Sequence, residues 1–283
     1  MQLSEREQEA LARNVENAIA EDIGSGDINA ELIPAGQKGT ARIIARQDFV
    51  LAGRPWAQAS FLHFAPNAQM QWCANDGETV QANSVLLEIS AHSRALLSAE
   101  RTALNFLQTL SGTATTTAHY VRLIAHTKTK LLDTRKTLPG LRDAQKYAVR
   151  CGGGFNHRIG LFDAFLLKEN HIAAAGSIRA AVYAARELCP NRFLQVEVET
   201  RAQLEECLSL GVPRVLLDNF SPEQTAELVR FVAGRMELES SGGIDEQSLI
   251  AYAEVGVDFI SIGSLTKHLR AVDLSMRMVT TYS

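Results

Sequence analysis

Between positions 130 and 264 short apolar runs alternate with stretches of helical periodicity, and the ends of those runs carry charged or glycine-bearing residues. The closing segments are Leu131-Leu132-Asp133-Thr134-Arg135-Lys136, Asn156-His157-Arg158, Phe165-Leu166-Leu167-Lys168, Val196-Glu197-Val198-Glu199, Val215-Leu216-Leu217-Asp218-Asn219, Leu238-Glu239-Ser240-Ser241-Gly242-Gly243 and Phe259-Ile260-Ser261-Ile262-Gly263-Ser264. Short unbroken apolar runs read as parallel strands covered on both faces. The spacing between them predicts helices near 143–150, 177–188, 201–210, 222–233 and 246–255. Strand and helix in alternation imply a parallel sheet, which right-handed crossovers can curl into a barrel. The seven strand-like units stand one short of a complete eightfold barrel. Catalytic groups of such barrels collect at the C-terminal strand ends, so the pattern predicts an enzyme.

The first part of the chain has a different rhythm. Leu11, Val15, Ala18 and Ile19 give helical spacing over residues 4–20, and a glycine-punctuated loop, Glu21-Asp22-Ile23-Gly24-Ser25-Gly26-Asp27, follows. Strands are expected at Arg42 to Ala45, Phe49 to Ala52, Met70 to Trp72 and Val85 to Ile89, with a helix after Pro55 and a turn at Asp76-Gly77. Residues 98–125 read as a long helix with Ser98 as N-cap and a break near Ser111-Gly112. The expected domains are therefore an N-terminal α+β domain over 1–111 and a catalytic barrel over 112–272.

A length of 283 residues suits one large barrel with a smaller companion domain. The net charge of -4 and pI near 6.0 argue against general binding to nucleic acid or anionic membranes, so any anion site must be focused. The opening residues lack the basic-then-apolar order of a secretion signal, and no window approaches a membrane span. A cytoplasmic protein is expected. Cys73, Cys151, Cys189 and Cys207 show no C-x-x-C spacing and are read as reduced packing residues.

Arg135, Lys136, Arg158 and Lys168 end three of the apolar segments and would bring four cations to one mouth. Two like charges 4 Å apart repel by roughly 4 kcal/mol at an effective dielectric near 20, a conflict that a multiply anionic ligand resolves. Arginine forks match carboxylates or phosphates, while lysine acts as a mobile point charge. Glu197 and Glu199 share a strand face, and Asp218 ends the next strand; Glu197 with Asp218 suits magnesium carried on substrate phosphates, or alternatively ribose hydroxyls. Ser241-Gly242-Gly243 and Gly263-Ser264 sit where barrels hold a phosphate through backbone N–H groups. Gly152-Gly153-Gly154 is neither a P-loop nor G-x-G-x-x-G and is read as a turn that aims Asn156, His157 and Arg158, with His157 donating to a substrate carboxylate or serving a structural role. A rival reading takes Lys168 as the nucleophile of a Schiff-base aldolase. Another takes the protein as a noncatalytic sugar-phosphate sensor.

The chain resembles the quinolinate phosphoribosyltransferase family through Glu21-Asp22-Ile23-Gly24-Ser25-Gly26-Asp27, Glu100-Arg101-Thr102-Ala103-Leu104-Asn105, Asp133-Thr134-Arg135-Lys136-Thr137, Cys151-Gly152-Gly153-Gly154, Asn156-His157-Arg158, Lys168-Glu169-Asn170-His171, Glu197-Val198-Glu199, Leu217-Asp218-Asn219 and Ser241-Gly242-Gly243-Ile244. The resemblance implies an N-terminal α+β open sandwich joined to an incomplete seven-stranded α/β barrel, with the tail 273–283 packing back on the first domain. It implies phosphoribosyl transfer to quinolinate with decarboxylation, Mg2+ as cofactor, and a homodimer in which Arg101 enters the neighbouring barrel. Arg135, His157, Arg158 and Lys168, with the partner's Arg101, would hold the diacid. Lys136, Glu197 and Asp218 would hold phosphoribosyl pyrophosphate and its metal, and Ser241, Gly242, Gly243, Gly263 and Ser264 its 5'-phosphate. Lys267 stands where many relatives have histidine, and Glu169 where many have Asp. A transferase for another pyridine acid, or a molybdenum-associated pyrophosphorylase, is the alternative within the fold.

Overall fold

Glu5–Ile23 forms helix α1 because Ser4 and Glu7 close a capping box: the Glu7 amide donates to Ser4 Oγ, and Glu7 Oε2 accepts from the Ser4 amide. The same glutamate is buried and takes two further bonds from Arg150. Val15 and Ile19 face inward, as their spacing predicts. The computed structural model describes residues 1–282. They divide into two compact units: Met1–Ala118 with Thr137–Gly153 and Leu265 onward, and His119–Lys136 with Gly154–Ser264.

The first unit carries α1, β1 (Lys38–Ala45), β2 (Phe49–Val50), α2 (Arg54–Phe64), β3 (Gln69–Trp72), β4 (Thr79–Val80), β5 (Val85–His92) and most of α3 (Ser93–Leu123). Later parts of the chain complete this unit: β12 (Leu274–Tyr282) pairs antiparallel with β1, giving the sheet order β12-β1-β5-β3. Ile43, Leu87, Ile89, Leu96, Leu104, Leu274 and Met276 form its apolar core. Helix α3 differs from the sequence expectation. It begins at Ser93 rather than after Ser98 and runs unbroken through Ser111-Gly112. The polar interruptions are absorbed within the helix, where Ser111 Oγ serves the backbone of Ala52 and the Thr115 and Thr117 hydroxyls bond back four residues.

The second unit is built on strands β6 (Lys130–Leu132), β7 (Ala164–Leu167), β8 (Phe193–Val198), β9 (Arg214–Asp218), β10 (Glu237–Ser241) and β11 (Phe259–Ser261). The intervening helices are α4 (Arg142–Cys151), which belongs to the first unit, then α5 (Glu169–Ala175), α6 (Ile178–Leu188), α7 (Arg201–Ser209), α8 (Pro222–Val232) and α9 (Leu249–Glu254), with the short α10 (Ser264–Lys267) last and, from Leu265 on, in the first unit. All ladders in this sheet are parallel, in the order β6-β11-β10-β9-β8-β7. The seventh strand-like segment is reduced to a bridge: Phe155 pairs with Leu132, its amide donating to the Leu131 carbonyl and its carbonyl accepting from Asp133. Taken in chain order, the seven segments close a ring on every side except between Phe155 and β7. That is the incomplete seven-stranded α/β barrel.

The barrel strands are not uniformly apolar inside. Val196 and Val198 are buried toward the helices, whereas Gln195, Glu197, Leu216, Asp218, Glu239, Ser241 and Ser261 fall on the alternate, inward parity. Arg214 lies over the Phe259 and Phe193 rings and pairs with Glu237. This leaves a polar interior, fixed by the cross-strand register that sets Glu239 beside Leu216 and Ser241 beside Asp218.

Candidate active site

The C-terminal ends of the second unit's strands enclose a cavity of ≈ 290 Å³. Around its mouth stand Arg135 and Lys136 from beyond β6, His157 and Arg158 from beyond the Phe155 bridge, and Lys168 from the end of β7. Glu197, Asp218, Ser241, Gly242, Gly243 and Gly263 complete the wall. Two residues expected in the site lie outside this lining: Ser264 opens α10, and Arg101 is exposed on α3 within the first unit. Glu199, weighed with Glu197 as a strand-face pair, is exposed beyond β8, where its amide donates to Gln203.

Local chemistry orients the cations. Asp133 is fully buried; its carboxylate accepts the Asn156 amide at 2.6 Å and the His157 backbone N–H at 2.8 Å. This holds the segment that presents His157 and Arg158. Asp163 then accepts the amides of Ile159 and Gly160, and the Arg158 guanidinium donates to the Ala164 carbonyl at 3.3 Å. Burial lowers the Arg158 pKa, and the Arg135 cation nearby lowers it further. Two guanidinium groups thus repel one another in a partly desolvated place, the condition that an incoming anion relieves.

Lys168 Nζ meets Glu197 Oε2 at 2.5 Å. Burial raises the Glu197 pKa, the Lys168 bond and charge oppose that, and the Asp218 and Glu169 carboxylates add to the rise. Lys168 also has its backbone pinned, because its amide donates to His171 Nδ1 at 3.1 Å. An amine held by a carboxylate is poorly arranged for Schiff-base chemistry, which wants a lysine in a dry apolar pocket or beside another cation.

Two glycines are required by contact. Gly242 has φ +98, and a Cβ there would lie 2.2 Å from Asn219 Oδ1. At Gly263 a Cβ would lie 2.7 Å from Lys136 Cδ, so the bare backbone lets the lysine cross the wall.

Glu239, Gln195, Ser261 and Asp133 are not marked as site residues by the sequence pattern. Glu239 and Ser261 line the cavity, and Gln195 Nε2 donates to Glu239 Oε2 at 2.8 Å. The available signal was a polar residue at every second position inside strands otherwise read as apolar runs. The thiol of Cys151, adjacent to the triple glycine, is buried, and burial pushes it up to about 12. It is a packing residue beside Tyr147 and Trp56.

The described residues contain no group of three or more His, Cys, Asp or Glu side chains placed to hold a metal by themselves. The pair formed by Glu197 and Asp218, on adjacent strands, instead suits an ion that keeps most of its ligands from phosphate and water.

Comparison with known proteins matches residues 27–111 to the N-terminal domain model of quinolinate phosphoribosyl transferase and residues 113–277 to its C-terminal domain model. The chain is 40% identical over 281 residues to the nicotinate-nucleotide pyrophosphorylase [carboxylating] of Mycobacterium leprae, covering 97% of this chain and 99% of that one. It is 39% identical over 267 residues to a probable enzyme of the same name from Bacillus subtilis, covering 94% and 92%. The solved nicotinate-nucleotide pyrophosphorylase of Francisella tularensis superposes with a TM-score of 0.91 at 47% identity, over 96% of each chain.

Proposed function

The chain belongs to the quinolinate phosphoribosyltransferase family, and we propose that it transfers a phosphoribosyl group from phosphoribosyl pyrophosphate to quinolinate, releasing pyrophosphate and CO2 and forming nicotinate mononucleotide in NAD biosynthesis. The observation that carries this reading is the convergence of Arg135, Arg158 and Lys168 on a cavity that also holds Lys136, Glu197 and Asp218. The first three suit two carboxylates; the second three suit a phosphorylated sugar. The transferase reading is preferred over the aldolase because Lys168 is engaged by Glu197. Within the fold, the two domain matches favour quinolinate over the molybdenum-associated alternative.

The diacid is held edge-on by the arginine forks, leaving its ring nitrogen toward the sugar. The nitrogen lone pair forms a bond to the anomeric carbon as the bond from that carbon to pyrophosphate breaks. Positive charge develops on the sugar near Glu197 and Asp218, and negative charge on the leaving group near Lys136. Fixed charges placed where charge develops lower the barrier without reorganising. After transfer the ring nitrogen is quaternary. The carbon–carbon bond to the adjacent carboxylate then breaks, CO2 leaves, and the electron pair left on the ring carbon, stabilised by the cationic nitrogen, takes a proton. Magnesium fits the donor set: Glu197 and Asp218 would hold it together with substrate oxygens, and it would neutralise pyrophosphate charge. The backbone at Ser241, Gly242, Gly243, Gly263 and Ser264 is assigned to the 5'-phosphate.

The functional unit proposed is a cytoplasmic homodimer in which Arg101 reaches the partner's diacid site, with no nucleic-acid or membrane partner. No helix of the described residues is long and apolar enough to cross a membrane. The direct test supplies purified protein with magnesium, phosphoribosyl pyrophosphate and either quinolinate or nicotinate, and follows nucleotide and CO2. Product from quinolinate with one CO2 per nucleotide is expected. Turnover of nicotinate alone would overturn the substrate assignment.

A further inference from the structure

Glu239 stands out among the barrel's interior groups. It lies within β10, its side chain is 0% exposed, and it lines the cavity from below. Oε2 accepts from the Gln195 amide at 2.8 Å, whereas Oε1 makes no hydrogen bond and lies 3.5 Å from His157 Nε2. A buried carboxylate oxygen without a donor is costly, so this geometry calls for a use. Burial alone would raise the Glu239 pKa. The combined influence of His157, Ser261 and Gln195 outweighs it, and the group is held below the ordinary glutamate value.

The histidine is constrained from its other side. The Arg158 backbone N–H donates to His157 Nδ1 at 2.7 Å, so that nitrogen presents its lone pair and the ring proton sits on Nε2, the atom aimed at Glu239. Two donors therefore face one side chain: the Gln195 amide bonded to Oε2 and the His157 ring 3.5 Å from Oε1. Only an acceptor-only group satisfies both. An amide in its place would turn its NH2 toward at least one of them.

We infer that Glu239 is a positioning residue for the diacid subsite: by accepting the Nε2–H of His157 it fixes the tautomer and tilt of that imidazole, and with it the backbone from which Arg158 projects. The inference rests on the placement of His157 and Arg158 in the diacid subsite. The 3.5 Å separation of His157 Nε2 from Glu239 Oε1 is close enough that a small ring movement makes it a hydrogen bond.

The test compares wild type with Glu239→Gln, Glu239→Ala, His157→Ala and the Glu239→Gln/His157→Ala double variant. Steady-state KM for each substrate is measured, and the His157 ring nitrogens are observed by 15N NMR. The isosteric Glu239→Gln keeps the core volume and provides the measurement should Glu239→Ala fail to fold. We expect KM for quinolinate to rise about tenfold in Glu239→Gln, the size of one hydrogen bond to a charged group, with KM for phosphoribosyl pyrophosphate within about twofold. The double variant should be no worse than His157→Ala alone, and the single Nε2–H tautomer of the wild type should become mixed in Glu239→Gln. Equal rises in both KM values, additive losses in the double variant, or an unchanged tautomer would overturn the inference. A tautomer that depends on Glu239 while His157→Ala leaves quinolinate KM unchanged would instead refute the subsite placement and keep the link between the two residues.

Discussion

Arg135 and Asp218 separate the two halves of the proposed chemistry at single positions. Arg135→Ala should raise KM for quinolinate by about ten- to a hundredfold, the range for a lost charge-assisted hydrogen bond, and leave KM for the sugar substrate nearly unchanged. Asp218→Ala should do the reverse. Steady-state kinetics with each substrate varied checks both, and unchanged constants in both variants would refute the roles. Glu197 adds a pH prediction. Burial, with the Asp218 and Glu169 charges, raises its pKa despite Lys168. As pH falls it takes up its proton earlier than an ordinary glutamate of 4.5, so kcat/KM for phosphoribosyl pyrophosphate should decline on an acid limb lying above that value. In Glu197→Gln that limb should vanish along with most of the activity. Gly263→Ala would crowd Lys136 Cδ, a flexible partner, and should impair use of the sugar substrate while moving Tm little.

Among the elements, α6, α7 and α8 are legible from spacing because capping side chains at Ser177, Thr200 and Ser221 mark their starts, whereas the short α5 goes unread. Ser221 caps α8 with Pro222 at its first turn and Gln224 closing the box. Ser221→Ala should cost about 1 kcal/mol in denaturant unfolding and leave both KM values alone. Strand positions were legible as apolar runs, but their inner faces were not. Gln195, Glu239 and Ser261 are single polar residues inside hydrophobic stretches, and only the folding of separate strands side by side brings them to one cavity, where Gln195 reaches across β9 to Glu239. The seventh strand was legible only through its polar end, since its pairing reduces to Phe155. α3 defeated the local reading at Ser111-Gly112 because small residues there serve close packing: a Cβ on Gly112 would lie 2.3 Å from the Arg270 carbonyl oxygen. Nothing local to a helix sequence reveals so distant a neighbour. β12 likewise carries no local sign that its partner is β1, more than two hundred residues earlier.

At the level of the whole molecule, the proposed need for two copies turns on Arg101, which is exposed on the first unit. Mixing Arg101→Ala with Glu197→Gln, each with little activity alone, should restore partial activity, since one site in a mixed dimer would then be complete. No recovery from verified mixed dimers would count against trans contribution. The central claim is that fixed cations at the strand ends read two carboxylates on one ring. Equilibrium titration of quinolinate and of nicotinate into the wild type and Arg158→Ala measures it most directly. Quinolinate should bind at least about tenfold tighter than nicotinate in the wild type, the equivalent of about 1.4 kcal/mol, with the gap largely lost in the variant. Equal affinities in the wild type, or a gap unaffected by removing Arg158, would contradict the account.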